Sequence, residues 1–323
     1  MYSIKQKAIT CLLLLLSTLS FAQKKDSVQK RAVAFVADKF PFTRVLNVEY
    51  TNLTPYKFSQ KLEDSNFNLP ESKVKNFQQI KANANLYFFK KEKWTISTAL
   101  NYKYTTANID NLSSTMNETK QNFHYHSEAV TASHISKLWK KTAIYSATAS
   151  VDGNENSFER FRGLLTGSIM ITANERTKLL LGLAVIIDPS SQVPTFPIIS
   201  YEHKFKNGWI ADIILPKRVM MKKNVFNNGR FSLGSEMDVT SFYFDQSNKT
   251  FEFRQTEINS GVMYEHRIGD FIGTVKTGLR SIPTGRIFEK NESFNDYIYE
   301  YKPKSSFYFN FGISYNPFGN KKR

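Results

Sequence analysis

Cysteine is nearly absent. The 323 residues hold a single one, Cys11, which excludes a disulfide scaffold and any cysteine-based zinc or iron–sulfur site. With 14 glycines and 10 prolines the chain is neither collagenous nor of low complexity. Long apolar runs are missing beyond the N-terminus: the longest, Leu179 to Ile187, has nine residues, far short of the roughly 20 that a membrane-crossing helix requires. No Gly-rich phosphate loop is present, and no nucleic-acid-binding motif accompanies the net charge of +16, so a nucleic-acid partner is not expected. What the chain does have is aromatic and apolar matter. Its 27 phenylalanines and 16 tyrosines favour β structure, and a 41% hydrophobic content is too high for disorder.

Residues 1–22 read as a secretory signal peptide. Lys5 and Lys7 form the basic segment, Leu12 to Leu16 centre a short apolar stretch, and Ser20-Phe21-Ala22 places small residues at the third and first positions before Gln23. Cys11 lies at the start of the apolar stretch, whereas a lipoprotein cysteine follows it, so lipidation is not expected. The purified protein should therefore begin at Gln23, free of cysteine and with its +16 lowered only by the loss of Lys5 and Lys7. Intact-mass analysis checks this, and a species retaining Leu12 to Leu16 would refute it. An exported chain without a spanning helix is either soluble or a closed barrel, the other structure that satisfies its backbone inside lipid.

Period-two alternation decides between these. Ile96, Thr98, Leu100, Tyr102 and Tyr104 alternate with Ser97, Ala99, Asn101 and Lys103, and the pattern recurs in Phe231 to Val239, Phe271 to Leu279 and Phe307 to Tyr315. Apolar rows such as Leu179, Leu181, Leu183, Val185 and Ile187 recur on too many segments for one soluble interior to absorb. Hydrophobic-out, polar-in strands of about ten residues are the signature of a membrane barrel. Short polar turns fall at Lys90 to Lys93, Trp139 to Lys141, Asn174 to Lys178, Lys206 to Gly208, Asn227 to Gly229 and Arg267 to Asp270. Between them lie longer segments at Gln60 to Lys73, Asp110 to Gln121, Asp152 to Glu159, Pro189 to Pro194, Asp245 to Thr250 and Arg286 to Pro303. Short periplasmic turns alternating with longer outer loops are expected of such barrels. Trp209 to Val225 lacks a long loop, and a tight outer turn at Pro216 and Lys217 restores parity.

The expected fold is thus all-β, a single antiparallel transmembrane β-barrel of about 14 strands after a cleaved signal peptide, or 12 if Trp209 to Val225 is one bent strand. The expected divisions are a signal peptide at 1–22, a periplasmic lead-in at 23–41 with a possible helix from Ser27 to Lys39, the barrel at 42–318 and a short basic tail at 319–323. Pro55 and Pro197 fit these strands poorly, because proline cannot donate to a ladder. Phe88, Phe89, Trp94, Trp139, Trp209, Tyr243, Tyr264 and Phe271 lie near strand ends and would form aromatic belts at the two interfaces.

Residues Phe307 to Phe318 resemble the C-terminal strand signal that the barrel assembly machinery reads, with the tail Gly319 to Arg323 displacing the aromatic from the last position. Together with the Phe21-Ala22-Gln23 junction and the aromatic strands, they make the chain similar to the uncharacterised outer-membrane β-barrel proteins of Bacteroidota. The resemblance implies an outer-membrane location, with lipid, lipopolysaccharide and the assembly machinery as partners. It implies no known activity.

The alternation assigns a set of lumen-lining residues: Lys81, Lys103, His124, His126, Glu128, Asp212, Glu236, Asp238, Glu257, Glu265, Lys276 and Arg280. Mixed charge permits an open, solute-selecting pore or a lumen sealed by its own ion pairs. His124, His126 and Glu128 share the i, i+2, i+4 spacing of a metal site, but a lumen-facing row is the simpler reading and no metal or cofactor is expected. His126-Ser127-Glu128 invites comparison with outer-membrane lipases and deacylases, yet strand neighbours point to opposite faces, so Ser127 and His126 cannot meet directly. The expected function is a passive, porin-like channel or a structural membrane protein. A lipid-modifying barrel enzyme is the first alternative, and a soluble exported β-protein binding a ligand or partner the second.

Overall fold

The computed structural model describes residues 28–63, 68–90, 93–111 and 119–318. The expected signal peptide and the basic tail lie outside the described residues. A helix, α1 (Val28–Lys39), and a 3₁₀ turn (Pro41–Thr43) precede the strands. The alternating segments form β1 (Leu46–Leu53), β2 (Tyr56–Leu62), β3 (Asn68–Lys90), β4 (Trp94–Asn111), β5 (Thr119–Leu138), β6 (Lys141–Gly153), β7 (Phe158–Ala173) and β8 (Thr177–Ile187). They continue as β9 (Thr195–Lys204), β10 (Trp209–Leu215), β11 (Arg218–Val225), β12 (Gly229–Gln246), β13 (Lys249–Ile268), β14 (Phe271–Glu289), β15 (Tyr299–Pro303) and β16 (Ser306–Tyr315).

Neighbours from β3 to β14 pair antiparallel in chain order, and β1 closes the ring by pairing with both β16 (Leu46↔Tyr315) and β3 (Leu46↔Ala84). Nearer the outer mouth β2 and β15 close it again, Tyr299 pairing with Leu62. β1 with β2, and β15 with β16, are each one wall strand interrupted midway, so the wall counts fourteen strands at either level. The interruptions explain the prolines. Pro55 occupies the break between β1 and β2, and Pro197 lies past Ile199, where the ladder to β10 stops. Neither site asks for the missing N–H across that gap.

Leu215 and Arg218 flank Pro216 and Lys217, so the expected outer turn exists. Two of the expected long outer loops are largely strand in their described residues. Gln60 to Lys73 is mostly strand, belonging to β2 and β3, and Asp245 to Thr250 closes through Ser247 and Asn248 alone, both at positive φ, as a two-residue hairpin requires. The strands also far exceed ten residues: β3 has 23, and β5 and β13 have 20, whereas β10 has 7 and β11 has 8. Such a wall stands well above any bilayer on the side of β3 to β5 and β12 to β14.

Outside, Val48, Leu165, Leu183, Leu233, Val239, Val275, Phe309 and Ile313 form an exposed apolar band, alternating with inward polar residues. Water-exposed apolar surface on this scale belongs against lipid. The described part of the lead-in is not peripheral. α1 lodges in the turn-side half of the lumen, with Ala37 and Lys39 buried, Phe35 beneath Lys178 near the turn end of β8 and Lys39 reaching β10. Ion pairs of Asp38 and Lys39 with the wall fix it there.

Candidate functional site: a charge-bridged lumen

The lower lumen is organised around two buried carboxylates. Glu265 on β13 accepts from Arg44, which is fully buried, and from the Arg230 fork on β12 at 2.8 Å from Nε and 2.5 Å from Nη2. Arg230 also donates to Asp38 of α1 at 2.6 Å, and Arg44 Nε donates to the Ala37 carbonyl at 3.1 Å. Asp212 on β10 gathers Lys39 of α1 at 2.6 Å together with Arg218 and Lys222 of β11. Lys39 further pairs with Glu202 on β9 at 3.0 Å, and Arg218 donates to the Lys39 carbonyl. The C-terminal turn of α1 is therefore pinned to β9 to β13 by ion pairs, while Val33 and Ala37 supply its buried apolar contact.

At mid-height, opposite walls touch. Lys81 on β3 donates to Asp238 on β12 at 3.0 Å, and Lys217 of the short outer turn reaches the same carboxylate at 3.1 Å. Lys103 on β4 bonds Thr240 on β12 at 3.3 Å and lies over the Tyr125 and Phe242 rings. Lys276 sits between Glu49 (3.5 Å) and Glu236 (3.7 Å), and Arg280 lies 3.6 Å from Glu257. Phe123 of β5 packs on Phe242 of β12 with ring centroids 5.2 Å apart, which closes the cross-section between them.

The outer mouth repeats the scheme. Arg160 and Arg162 of β7 meet Glu252 of β13 at 2.6 and 3.3 Å, and Arg162 also pairs with Asp152 at 3.2 Å. Tyr243 and Tyr125 both donate to Asp152, at 2.8 and 3.1 Å. Tyr243 is thus a buried lumen residue and not the belt aromatic expected from its place near a strand end. The β8–β9 connection folds inward, with Arg254 bonding the Ser190 carbonyl at 2.7 Å. Asp188 lies in that connection, outside the strands. Burial pushes its carboxyl up, but the neighbouring Arg162 and hydrogen bonds from Ser190 outweigh that and hold it below its ordinary value of 3.8. A depressed pKa stabilises the native form above the unfolded value and stops doing so as pH falls through the folded one. The protection of the amides from Asp188 to Val193, taken relative to the intrinsic exchange rate at each pH, should accordingly hold down to about pH 4 and fall only below it.

Of the sequence-assigned lumen residues, Lys81, Lys103, Asp212, Glu236, Asp238, Glu257, Glu265, Lys276 and Arg280 face inward in these clusters. His124, His126 and Glu128 face outward, and here the assignment is corrected. The inward parity of β5 belongs to Phe123, Tyr125 and Ser127, the last accepting from Asn101 at 3.0 Å. On the outer wall His124 shares a 2.8 Å hydrogen bond with Tyr102, His126 packs edge-on against Phe158, and Glu128 is exposed. Ser127 and His126 thus lie on opposite faces of the wall. Among the described residues no three His, Cys, Asp or Glu side chains converge to hold a metal ion.

Alternation alone could have found further lumen residues. Arg160-Phe161-Arg162 and Glu252-Phe253-Arg254 each carry charges two residues apart around an aromatic, and Phe161 is exposed on the outside as that spacing predicts. Arg44, Asp38 and Lys39 had no such signal, because their partners lie some 160 to 220 residues away in sequence.

A closed antiparallel ring, apolar outside and ionic within, defines a transmembrane β-barrel protein. Within that class the chain belongs to the family described as a domain of unknown function, DUF6268, whose model matches residues 42–316. Its fold is similar to that of the COG4313 outer membrane channel from Pseudomonas putida F1, at 6% identity over 83% of this chain and 95% of that one, with a TM-score of 0.33. It is also similar to the outer membrane protease OmpT from Escherichia coli, at 9% identity over 84% and 96% of the two chains and a TM-score of 0.25. The transport unit of the autotransporter AIDA-I from Escherichia coli matches at 11% identity over 84% and 90%, with a TM-score of 0.27. No curated protein matches the sequence.

Proposed function

We propose that this is an outer-membrane barrel that acts as a passive channel held shut at rest, with α1 as its removable element and with neither cofactor nor catalytic step. The observation that carries the reading is the chemistry of the closure. Opposite walls and α1 are joined by ion pairs such as Lys81–Asp238, Arg162–Glu252 and Lys39–Asp212. A barrel sealed for purely structural reasons gains nothing from this, since well-packed apolar side chains stabilise an interior at least as well as buried ion pairs. Charges of both signs are, by contrast, what lines a water path once the pairs separate.

Planar-bilayer recording tests the reading. The intact protein should be mostly silent, with rare small openings. Deletion of residues 24–38 should produce frequent openings, and so should the milder pair Asp38→Asn with Lys39→Met, which leaves the backbone of α1 in place. Silence in all three, with the barrel still inserted and resistant to protease, would mean a structural barrel and not a channel.

A further inference from the structure

The two rims of the barrel differ in charge. At the outer rim, exposed cations come with carboxylates: Lys57 with Glu71 at 2.9 Å, Lys75 with Asp110 at 3.0 Å and Lys249 with Glu289 at 2.7 Å. At the turn-side rim Lys178 pairs with Glu202 at 2.8 Å, but the cations nearest the turn tips have no such partner. Lys137, Lys140 and Lys141 crowd the β5–β6 turn, and Arg176, Lys204 and Lys206 occupy the β7–β8 and β9–β10 turns, all exposed. None of the six has a carboxylate partner among the described residues, and Glu175 is the one exposed acid on these three turns.

The same rim carries all three tryptophans of the chain: Trp94 opens β4, Trp139 is in the β5–β6 turn and Trp209 opens β10, with Lys223 over its ring at 5.5 Å. Trp139 is 81% exposed, and Phe226 and Ile268 on other turns of the same rim are 86% and 72% exposed. Side chains of this size and exposure are poorly placed in bulk water. Tryptophan belongs at the level of lipid headgroups, where its apolar ring and N–H are both accommodated. Cations at that depth lie within a Debye length of headgroup phosphates and attract them.

We propose that the turn-side rim is a collar that binds anionic glycerophospholipid, drawing negatively charged headgroups around the barrel in the leaflet it faces. The apolar anchors are what select a lipid over a soluble polyanion, which would use the cations and leave Trp139, Phe226 and Ile268 in water. The proposal rests on the membrane-barrel reading, and one experiment separates the two. Because every tryptophan is on this rim, intrinsic fluorescence reports on its lipid neighbours alone.

The intact protein is inserted into phosphatidylcholine vesicles containing a minor fraction of phosphatidylglycerol, with bromine on the acyl chains of one lipid or the other. Brominated phosphatidylglycerol should quench as though enriched at least about twofold over its bulk fraction, an excess that high salt removes. The variant carrying Lys137→Gln, Lys140→Gln, Lys141→Gln, Arg176→Gln, Lys204→Gln and Lys206→Gln should show none. These are exposed side chains outside the ion-pair clusters, so the barrel should still form. Equal quenching by the two lipids at equal fraction would overturn the proposal, as would an enrichment that survives the six neutralisations. Absence of quenching by either lipid would overturn it together with the membrane reading beneath it.

Discussion

Replacing Glu265 with alanine should destabilise the barrel by about 3 to 5 kcal/mol, the range for removing one partner of a buried ion pair and leaving the others charged and unpaired. Glu265 is the acceptor shared by Arg44 and the Arg230 fork, all three buried, and without it Asp38 is the one carboxylate left to Arg230 while Arg44 keeps only the Ala37 carbonyl and Ser314. The same change should loosen α1, because Arg44 connects the helix to β13 by bonding the Ala37 carbonyl with one nitrogen and Glu265 with another. The comparison variant is Glu71→Ala, whose partners Lys57 and Lys304 lie on the exposed outer wall, where such pairs contribute about 0 to 1 kcal/mol. Urea unfolding of both variants in the same vesicles, with protease cleavage of α1 as a second readout, decides the matter. A Glu265→Ala loss no larger than that of Glu71→Ala would show that water already fills the lower lumen, and the closed-channel reading would fail with it.

How much of this could be read in the sequence depended on which side of the wall was wet. Within the apolar band the two faces differ in kind, so β4, β12, β14 and β16 declared both their existence and their orientation through strict alternation. Above the band both faces meet water and the contrast disappears. That is why Gln60 to Lys73, with its polar run, looked like a loop although residues 60–62 and 68–73 belong to β2 and β3, and why polarity placed His124, His126 and Glu128 in the lumen. The aromatic residues Phe123 and Tyr125 take the inward positions there because they pack across a collapsed cross-section against Phe242 and Asp152, a tertiary fact with no local trace. Turn chemistry was legible where proline marked it, at Pro216, and was missed at Ser247-Asn248, a two-residue turn lacking the glycine that usually signals it.

The placement of α1 follows from terms no local pattern carries. Of its described apolar side chains only Val33 and Ala37 are buried, and Val36 remains exposed, so burial alone holds it weakly. Its stability in the lumen comes from Asp38 and Lys39 meeting Arg230, Asp212 and Glu202, side chains that converge only after β9 to β13 have closed into the wall. An element held this way is sensitive to ionic strength where its pairs reach water, and on the proposed reading it should come away without unfolding the ring around it. An apolar plug would lack that separation, since removing it would expose a dry interior. The charge that makes the lumen a candidate path is the same charge that closes it.

Arginine at Leu183 should cost about 2 to 4 kcal/mol, the penalty for a cation on the lipid face at the bilayer midplane. Leu183 is the seventh of the eleven residues of β8, half exposed on the outer wall, and pairs with Gly167 and Pro197 on the flanking strands. No carboxylate is among these partners, so the guanidinium would have to bend the bilayer or draw water to itself. Position along the strand tests the assignment further. Arginine at Ile187, on the same face but at the outer end of β8, should cost about 0 to 1 kcal/mol because the headgroup region solvates it. The lumen substitution Asp238→Asn differs again: it removes the shared partner of Lys81 and Lys217 and should act mainly on conductance, by parting β3 from β12. Equal losses at Leu183 and Ile187 in refolding titrations would mean that the apolar band does not lie in a bilayer, and the orientation of every strand relative to lipid would have to be redrawn.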